Sequence, residues 1–352
     1  MFENPLVRAP APYIPMPLPE EPLYGYFYRF WRLAGQPNQR NLIRTLFGPL
    51  NSDLNHVHWD KSTAASALGK ALRSTGFAFH SSGVLLHSLR ALARPFWPNF
   101  PSEIPPNQIS DHHSGFSGQL GMTDTLIKRK GSFCLDCVAD DVQNLGVGHW
   151  RRSHQIAGVW FCPTHRTGLT DQCIACKKSI GVLSFPDTHC KYCGKEYAAG
   201  AEYQGTSSHR VAHSFGVAVE KVYRGEILGP LINRRVREHF RSFHPRKQRL
   251  PGADLCDYVA SMAGDELLKE LGLLYKPRER FPWPMIFLAD RLVFGQASYQ
   301  LLLYAAVTAD HPNEDLWYDD WPDDADIVYK HWLSSAFDSL WPLLHDQQFG
   351  IN

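Results

Sequence analysis

The sequence predicts a mainly α-helical chain, with helical domains at both ends and a small cysteine-organised module between them. Three observations lead there. Four short Cys-x-x-Cys or Cys-x-x-His pairs crowd into residues 134–193. On both sides of that stretch, apolar residues recur at helical spacing between Gly and Pro breaks. The chain has 352 residues, 44 % of them hydrophobic and 20 % charged, enough for two or three folding units. The expected divisions are 1–120, 121–205 and 206–352.

The central module is the most specific signal. Its pairs are Cys134/Cys137, Cys162/His165, Cys173/Cys176 and Cys190/Cys193, and they use seven of the eight cysteines. Two intervening residues let one tight turn aim two ligands at a single ion, and two such pairs complete a tetrahedral zinc site. Eight ligands therefore predict two structural Zn2+ ions in a double zinc-ribbon or zinc-finger module. Neighbour pairing joins Cys134, Cys137, Cys162 and His165, and separately Cys173, Cys176, Cys190 and Cys193. A cross-brace would interleave the pairs. Both schemes yield one three-cysteine, one-histidine site and one four-cysteine site, so ligand chemistry does not choose. Neighbour pairing is preferred because its shorter loops cost less closure entropy, a dependence that is only logarithmic. Both sites are filled by protein ligands, which favours structural over catalytic zinc. The H-x-E signature of zinc deaminases is absent.

Other residues of the module read more plainly. His149, His154 and His189 are expected to pack or face solvent rather than add a ninth ligand. Trp150 and Trp160 are expected to supply core to a module too small to build one otherwise. The ligand-bearing turns are expected on short hairpins. The leftover Cys256 reads as a small buried hydrophobe. The chain opens without a signal-peptide pattern and holds no apolar run of membrane-spanning length, so its CxxC pairs read as metal sites rather than disulfide halves.

Charge is segregated although the net is only +1. Lys61, Lys70, Arg73, Arg90 and Arg94 fall in an acid-free stretch. Arg234, Arg235, Arg237, Arg241, Arg246, Lys247 and Arg249 stand against Glu238 alone, and acids crowd Asp310 to Asp326. Leu231, Val236, Phe240 and Phe243 punctuate the arginine run. An amphipathic helix is therefore expected, with either a phosphate-facing or a simply solvated basic side.

At the N-terminus, Pro19-Glu-Glu-Pro22 reads as a helix start with its acids in the first turn. Leu23, Phe27, Phe30 and Ala34 share one face, Tyr24, Tyr28 and Trp31 lie beside it, and Gly35 and Pro37 end the helix. Phe27 and Phe30 are expected in the core, and Tyr28 and Trp31 at a partner interface. Helices near 39–47, 62–74 and 82–94 follow. Short helices, tight breaks and excess basic charge suit a helix-turn-helix DNA binder and suit any small helical bundle equally. In the C-terminal part, Val211, Phe215, Val219, Val222 and Tyr223 form a helical face. Met285–Ala289, Tyr299–Val307 and Ile327–Leu344 read as further helices.

No catalytic constellation appears. There is no P-loop, no GxGxxG after a strand, no GxSxG and no HExxH. Asp111-His112-His113 reads as a polar loop. The acid-rich segment is too local and too dense to be a chosen two-metal triad.

These residues carry a family resemblance. Pro17-Leu-Pro-Glu-Glu-Pro-Leu-Tyr-Gly-Tyr-Phe-Tyr-Arg29 resembles the opening motif of the TniQ/TnsD family. Phe133-Cys-Leu-Asp-Cys137, His149-Trp-Arg-Arg-Ser-His154, Phe161-Cys-Pro-Thr-His165, Leu169 and the two later pairs resemble its zinc core. Gly25 and Ala157 depart from the family's serine and proline without touching a ligand. The resemblance covers about the first 200 residues and implies a non-catalytic target-selection factor for Tn7-like transposition in the bacterial cytoplasm. Longer members of the family bind an attachment sequence themselves. Shorter ones, commonly dimeric, ride on a CRISPR Cascade-type effector whose guide RNA reads the target DNA, and recruit the AAA+ regulator TnsC. The length and weak net charge of this chain suit the adaptor. A stand-alone DNA reader is the second expectation and a zinc hydrolase or nuclease a distant third.

Overall fold

A computed structural model describes residues 18, 20–33, 127–128, 130–181, 184–224, 252–271 and 297–310. The helices expected near 39–47, 62–74 and 82–94, the loop Asp111–His113, the basic run Arg234–Arg249, Met285–Ala289, the acids beyond Asp310 and the segment Ile327–Leu344 lie outside the described residues. So do the side chains of Leu23, Phe27, Phe30, Trp31 and Cys256.

Among the described residues the architecture is mainly helical. Five α-helices occur: α1 Leu23–Leu33, α2 Leu135–Leu145, α3 Ser207–Tyr223, α4 Gly252–Glu270 and α5 Ala297–Asp310. Extended pairing is limited to isolated antiparallel bridges at the central module. No described helix is long and apolar enough to cross a membrane.

α3 follows the pattern read from the sequence. Val211, Phe215, Val219, Val222 and Tyr223 are buried on one face, and Thr206 caps the helix by accepting the His209 backbone N–H. That face packs on α4 and α5. α5 buries Leu301, Leu302, Tyr304, Ala305, Ala306 and Val307, consistent with a helix that is apolar nearly all round. α4 bends at Gly264, whose φ of 74° is foreign to a helix.

α1 starts later than expected. Glu20 and Glu21 precede the helix, its first turn contains no acid, and both carboxylates are buried. Glu20 adopts a left-handed φ of 58°. The physical reason is tertiary: each acid has a cation to meet. Glu21 receives Arg29 on both oxygens, at 3.0 and 2.6 Å, and accepts the Leu18 backbone N–H at 3.0 Å. Glu20 accepts Arg224 Nε at 3.1 Å and Ser153 Oγ at 3.2 Å, while its carbonyl accepts the Arg152 N–H at 2.8 Å. Arg224 also pairs with Glu220 on α3.

Trp150 organises the core between α1 and the central module. It is 1 % exposed, donates Nε1–H to the Ser184 carbonyl at 2.6 Å, and meets Phe133 and Tyr24 edge to face. A Cβ on Gly131 would fall 2.7 Å from its ring, so only glycine leaves room there. Trp160 instead donates to the Glu270 carboxylate at the end of α4, and Glu270 also accepts the Gly158 N–H at 2.9 Å.

Candidate metal centres

Three of the four ligand pairs sit on one repeated turn. Antiparallel bridges Phe161↔Gly168, Gln172↔Ser179 and His189↔Glu196 bracket Cys162–His165, Cys173–Cys176 and Cys190–Cys193. In each, the first cysteine donates its N–H across the turn, to Thr167, Lys178 or Lys195, and its carbonyl accepts an N–H from four residues on. That fourth residue takes a left-handed conformation: Arg166 at φ 60°, Lys177 at 58° and Gly194 at 73°. The turn aims both ligand side chains inward and leaves the following side chain at the tip.

The first pair differs from the expected hairpin. Cys134 stands at the N-cap of α2 and Cys137 lies in its first turn. Leu-Asp-Cys-Val-Ala-Asp-Asp-Val is compatible with a helix, and Asp136 complements the positive helix N-terminus. The helix stops at Gly146, whose left-handed φ of 75° lets its N–H return to the Val142 carbonyl.

The fold gathers two neighbour tetrads, Cys134/Cys137/Cys162/His165 and Cys173/Cys176/Cys190/Cys193, each with ligand atoms within 4.8 Å of one another. In the first, His165 Nδ1 lies 3.6, 3.4 and 3.6 Å from the sulfurs of Cys134, Cys137 and Cys162, and Cys137 and Cys162 are 3.5 Å apart. In the second, Cys173–Cys193 and Cys176–Cys190 are separated by 3.7 and 3.6 Å. A tetrahedral ion with sulfur at about 2.3 Å requires sulfurs about 3.8 Å apart, so both sets fit a closed four-ligand metal. The distances are also too long for disulfides.

The surroundings separate the two centres. The cysteines of the first are buried with Leu169 packed on them. His165 Nε2 faces Asp140 at 3.1 Å, which assigns the ring proton to Nε2 and leaves Nδ1 free to ligate. Thr167 Oγ1 lies 3.1 Å from Cys134 Sγ and 2.8 Å from Asp136. α3 closes the other side: a Cβ on Gly216 would meet Val159 at 3.1 Å, and His213 contacts the Pro163 carbonyl at 3.2 Å. The second centre projects outward. Cys173 and Cys190 are buried, Cys176 is half-buried and Cys193 is exposed. Its anchors are Tyr197 against Phe133, with centroids 5.5 Å apart, and Thr170 donating to the Ala198 carbonyl at 2.7 Å.

None of His149, His154 and His189 joins a tetrad. His149 Nδ1 faces Asp141 at 2.9 Å, and Arg151 reaches the same carboxylate at 2.7 Å. His154 is buried, and desolvation, reinforced by Arg151, pushes its pKa down to about 3. His189 is exposed beside Thr188. Lys128 donates to the Val159 carbonyl and Ser132 Oγ, and burial lowers its pKa to about 8 against the opposing pull of Glu270.

Of the residues expected at interfaces, Tyr28 is half-buried against Phe185, with ring centroids 4.8 Å apart. The Trp31 side chain and Arg234, Arg235, Arg237, Arg241, Arg246 and Lys247 fall outside the described residues. Sequence reasoning missed Asp140, Thr167 and the left-handed tip positions. The signal for the last was a basic residue or glycine directly after the second ligand in three of the pairs.

Residues 12–169 match the family model described as TniQ. No curated protein matches the chain.

Proposed function

We infer, from the match of residues 12–169 to the TniQ family model, a role in target-site selection for Tn7-like transposition. Within that role we read the chain as an adaptor. It would link a Cascade-type effector, its guide RNA and target DNA to the TnsC regulator, and so to the transposase. The effector would read sequence by base pairing while protein surfaces supply geometry.

The observation that carries a binding rather than catalytic reading is the closure of both tetrads. Each has four protein donors, which leaves no coordination position for a substrate water. Two Zn2+ ions suit the thiolate-rich donor sets and would supply folding free energy by tying distant turns together. The proposed divisions are a helical unit over 1–120, the zinc module over 121–205 and a helical unit over 206–352. The basic run Arg234, Arg235, Arg237, Arg241, Arg246 and Lys247 is proposed to meet nucleic-acid phosphates. Tyr28 and Trp31 are proposed to face the effector or a second copy of the chain.

Gel filtration of the zinc-loaded chain with a guide-loaded Cascade complex and with TnsC tests this reading. Co-elution in both cases is expected. Tight binding of the lone chain to one short duplex sequence at physiological salt, with no co-elution, overturns the adaptor in favour of a stand-alone attachment-site reader.

A further inference from the structure

We propose that the four-cysteine centre is a metal-operated latch on α1, with Ser184, Phe185 and Pro186 as the wedge that holds the helix against the module. These residues lie in sequence between the two ligand turns, yet they pack on the core. Ser184 and Pro186 are buried and Phe185 is half-buried. The Ser184 carbonyl accepts the Trp150 Nε1–H at 2.6 Å, and the Phe185 ring meets Tyr28 of α1 edge to face, with centroids 4.8 Å apart. A Cβ on Gly148 would fall 2.6 Å from the Pro186 carbonyl oxygen, so the segment fits there only against glycine. Trp150 in turn backs α1: a Cβ on Gly25 would sit 3.4 Å from its ring, and Tyr24 meets it edge to face at 6.4 Å. Three consecutive residues thus brace the helix, the indole behind it and the strand of backbone that carries the indole.

The wedge is the middle of a loop whose two ends meet at the second centre. Each ligand turn closes on itself through its own bridge, Gln172↔Ser179 or His189↔Glu196. Turn meets turn at the sulfurs, Cys173 with Cys193 and Cys176 with Cys190, and where Lys178 lies over the Tyr192 ring. A metal held by these four thiolates closes the loop 177–189 and offsets the entropy that its ends would regain without it. Cys193 is exposed and Cys176 half-buried, so metal can leave this centre without opening the buried cysteines of the first. The N-terminal end of α1 keeps a separate anchor in the contacts of Glu20 with Ser153 and Arg224. Loss of the second metal therefore frees the helix around Tyr28 rather than detaching it outright. Tyr28 is the aromatic proposed to face a partner, and metal occupancy decides whether its ring is committed to Phe185.

Such a coupling is reciprocal. If the metal holds the wedge and the wedge holds α1, then weakening the contact with α1 lowers the affinity for the metal by the same factor. The competing role is local: the second metal folds only its own two turns, and Phe185 is a packing residue indifferent to it. The latch rests on the two-zinc reading, and the zinc count tells the two failures apart. Fewer than two zincs per wild-type chain overturns both, whereas two zincs without coupling overturns the latch alone.

The test uses the full zinc-loaded chain, with amide hydrogen exchange read by mass spectrometry on peptides covering α1 and α3 and zinc counted by elemental analysis. Wild type is compared with Cys193→Ser, with wild type after brief chelation, and with Phe185→Ala. Cys193→Ser and the briefly chelated chain are expected to hold one zinc, to exchange α1 amides about fivefold or more faster, and to leave α3 unchanged. Phe185→Ala is expected to keep two zincs at saturating metal and to loosen α1 likewise. In competition with a chromogenic chelator it should bind its weaker zinc about fivefold or more less tightly. Tyr28→Ala removes the other ring of the same contact and supplies the reading if Phe185→Ala does not fold. Unchanged α1 exchange in the one-zinc chains overturns the proposal, and so does unchanged metal affinity in the folded ring variant. Loss of α3 protection together with α1 also overturns it, because the metal then holds the module as a whole.

Discussion

Glu20 and Arg224 meet at 3.1 Å across 204 positions of sequence. One residue precedes the first described helix and the other follows α3, and between them Ser153 donates to the same carboxylate from the central module. The contact ties three parts of the chain at one buried anion, 7 % exposed.

Removing that anion should loosen α1 from the module. Glu20→Gln keeps the left-handed strain and loses the charge, and is expected to cost about 1–3 kcal/mol in denaturant unfolding. Glu20→Gly loses the charge and relieves the strain, so it should be milder than Glu20→Ala by about 1 kcal/mol. Equal losses for Gly and Ala would remove the strain argument.

The left-handed tips make a second prediction. Arg166→Gly and Lys177→Gly should each stabilise the zinc-loaded chain by about 0.5–1 kcal/mol, the relief of strain less the added freedom of glycine when unfolded. Gly194→Ala should destabilise by about 1 kcal/mol, with open space around the new methyl and only the backbone to blame. Thermal unfolding at fixed zinc content measures all three.

His154 sets a dependence on pH. Its folded pKa of about 3 lies below the ordinary value of 6.5. Above pH 6.5 both states hold it neutral and it contributes no slope. As pH falls below 6.5 the unfolded chain takes up a proton that the folded chain refuses, so stability falls, at up to about 1.4 kcal/mol per unit. A His154→Gln variant should lose less stability between pH 6.5 and 5.5 than the wild type, as read from urea midpoints. Parallel losses would show that acid acts elsewhere, the cysteine ligands being the next suspects.

The two centres should part under chelation. With Cys193 exposed and Cys134, Cys137 and Cys162 buried, a chelator should remove a metal ion quickly from the second centre and from the first only on unfolding. Cys193→Ser should cost one metal and leave α3 packed. Cys134→Ser should disrupt the core that α3 covers, seen as lost helical signal. Release of both metals at one rate would contradict this division.

The members of the two tetrads were legible in the sequence because the spacing that coordination chemistry requires is local. Two residues between donors suffice to make a turn that holds an ion, and no distant contact alters that. The α3 face was legible for a similar reason: helical periodicity records which side must be buried. Hairpins were expected at all four pairs, yet Cys134–Cys137 opens α2, because a CxxC spacing is satisfied equally by a tight turn and by the first turn of a helix. Tyr28 is expected at a partner interface, and its contact with Phe185 depends on a residue far along the chain that the local pattern does not reveal.

What the sequence determined by itself was the candidate donor set and the helical patterning around it. The tertiary structure decided which pairs share a centre, because logarithmic loop entropy barely separates the neighbour and crossed arrangements. It also decided that Glu20 and Glu21 serve as buried ion-pair anchors rather than as a helix start. A carboxylate near a helix N-terminus gains a modest dipole interaction wherever it stands. Only the approach of Arg29, Arg224 and Ser153 makes burial of those two charges affordable, and that approach exists nowhere but in the folded chain.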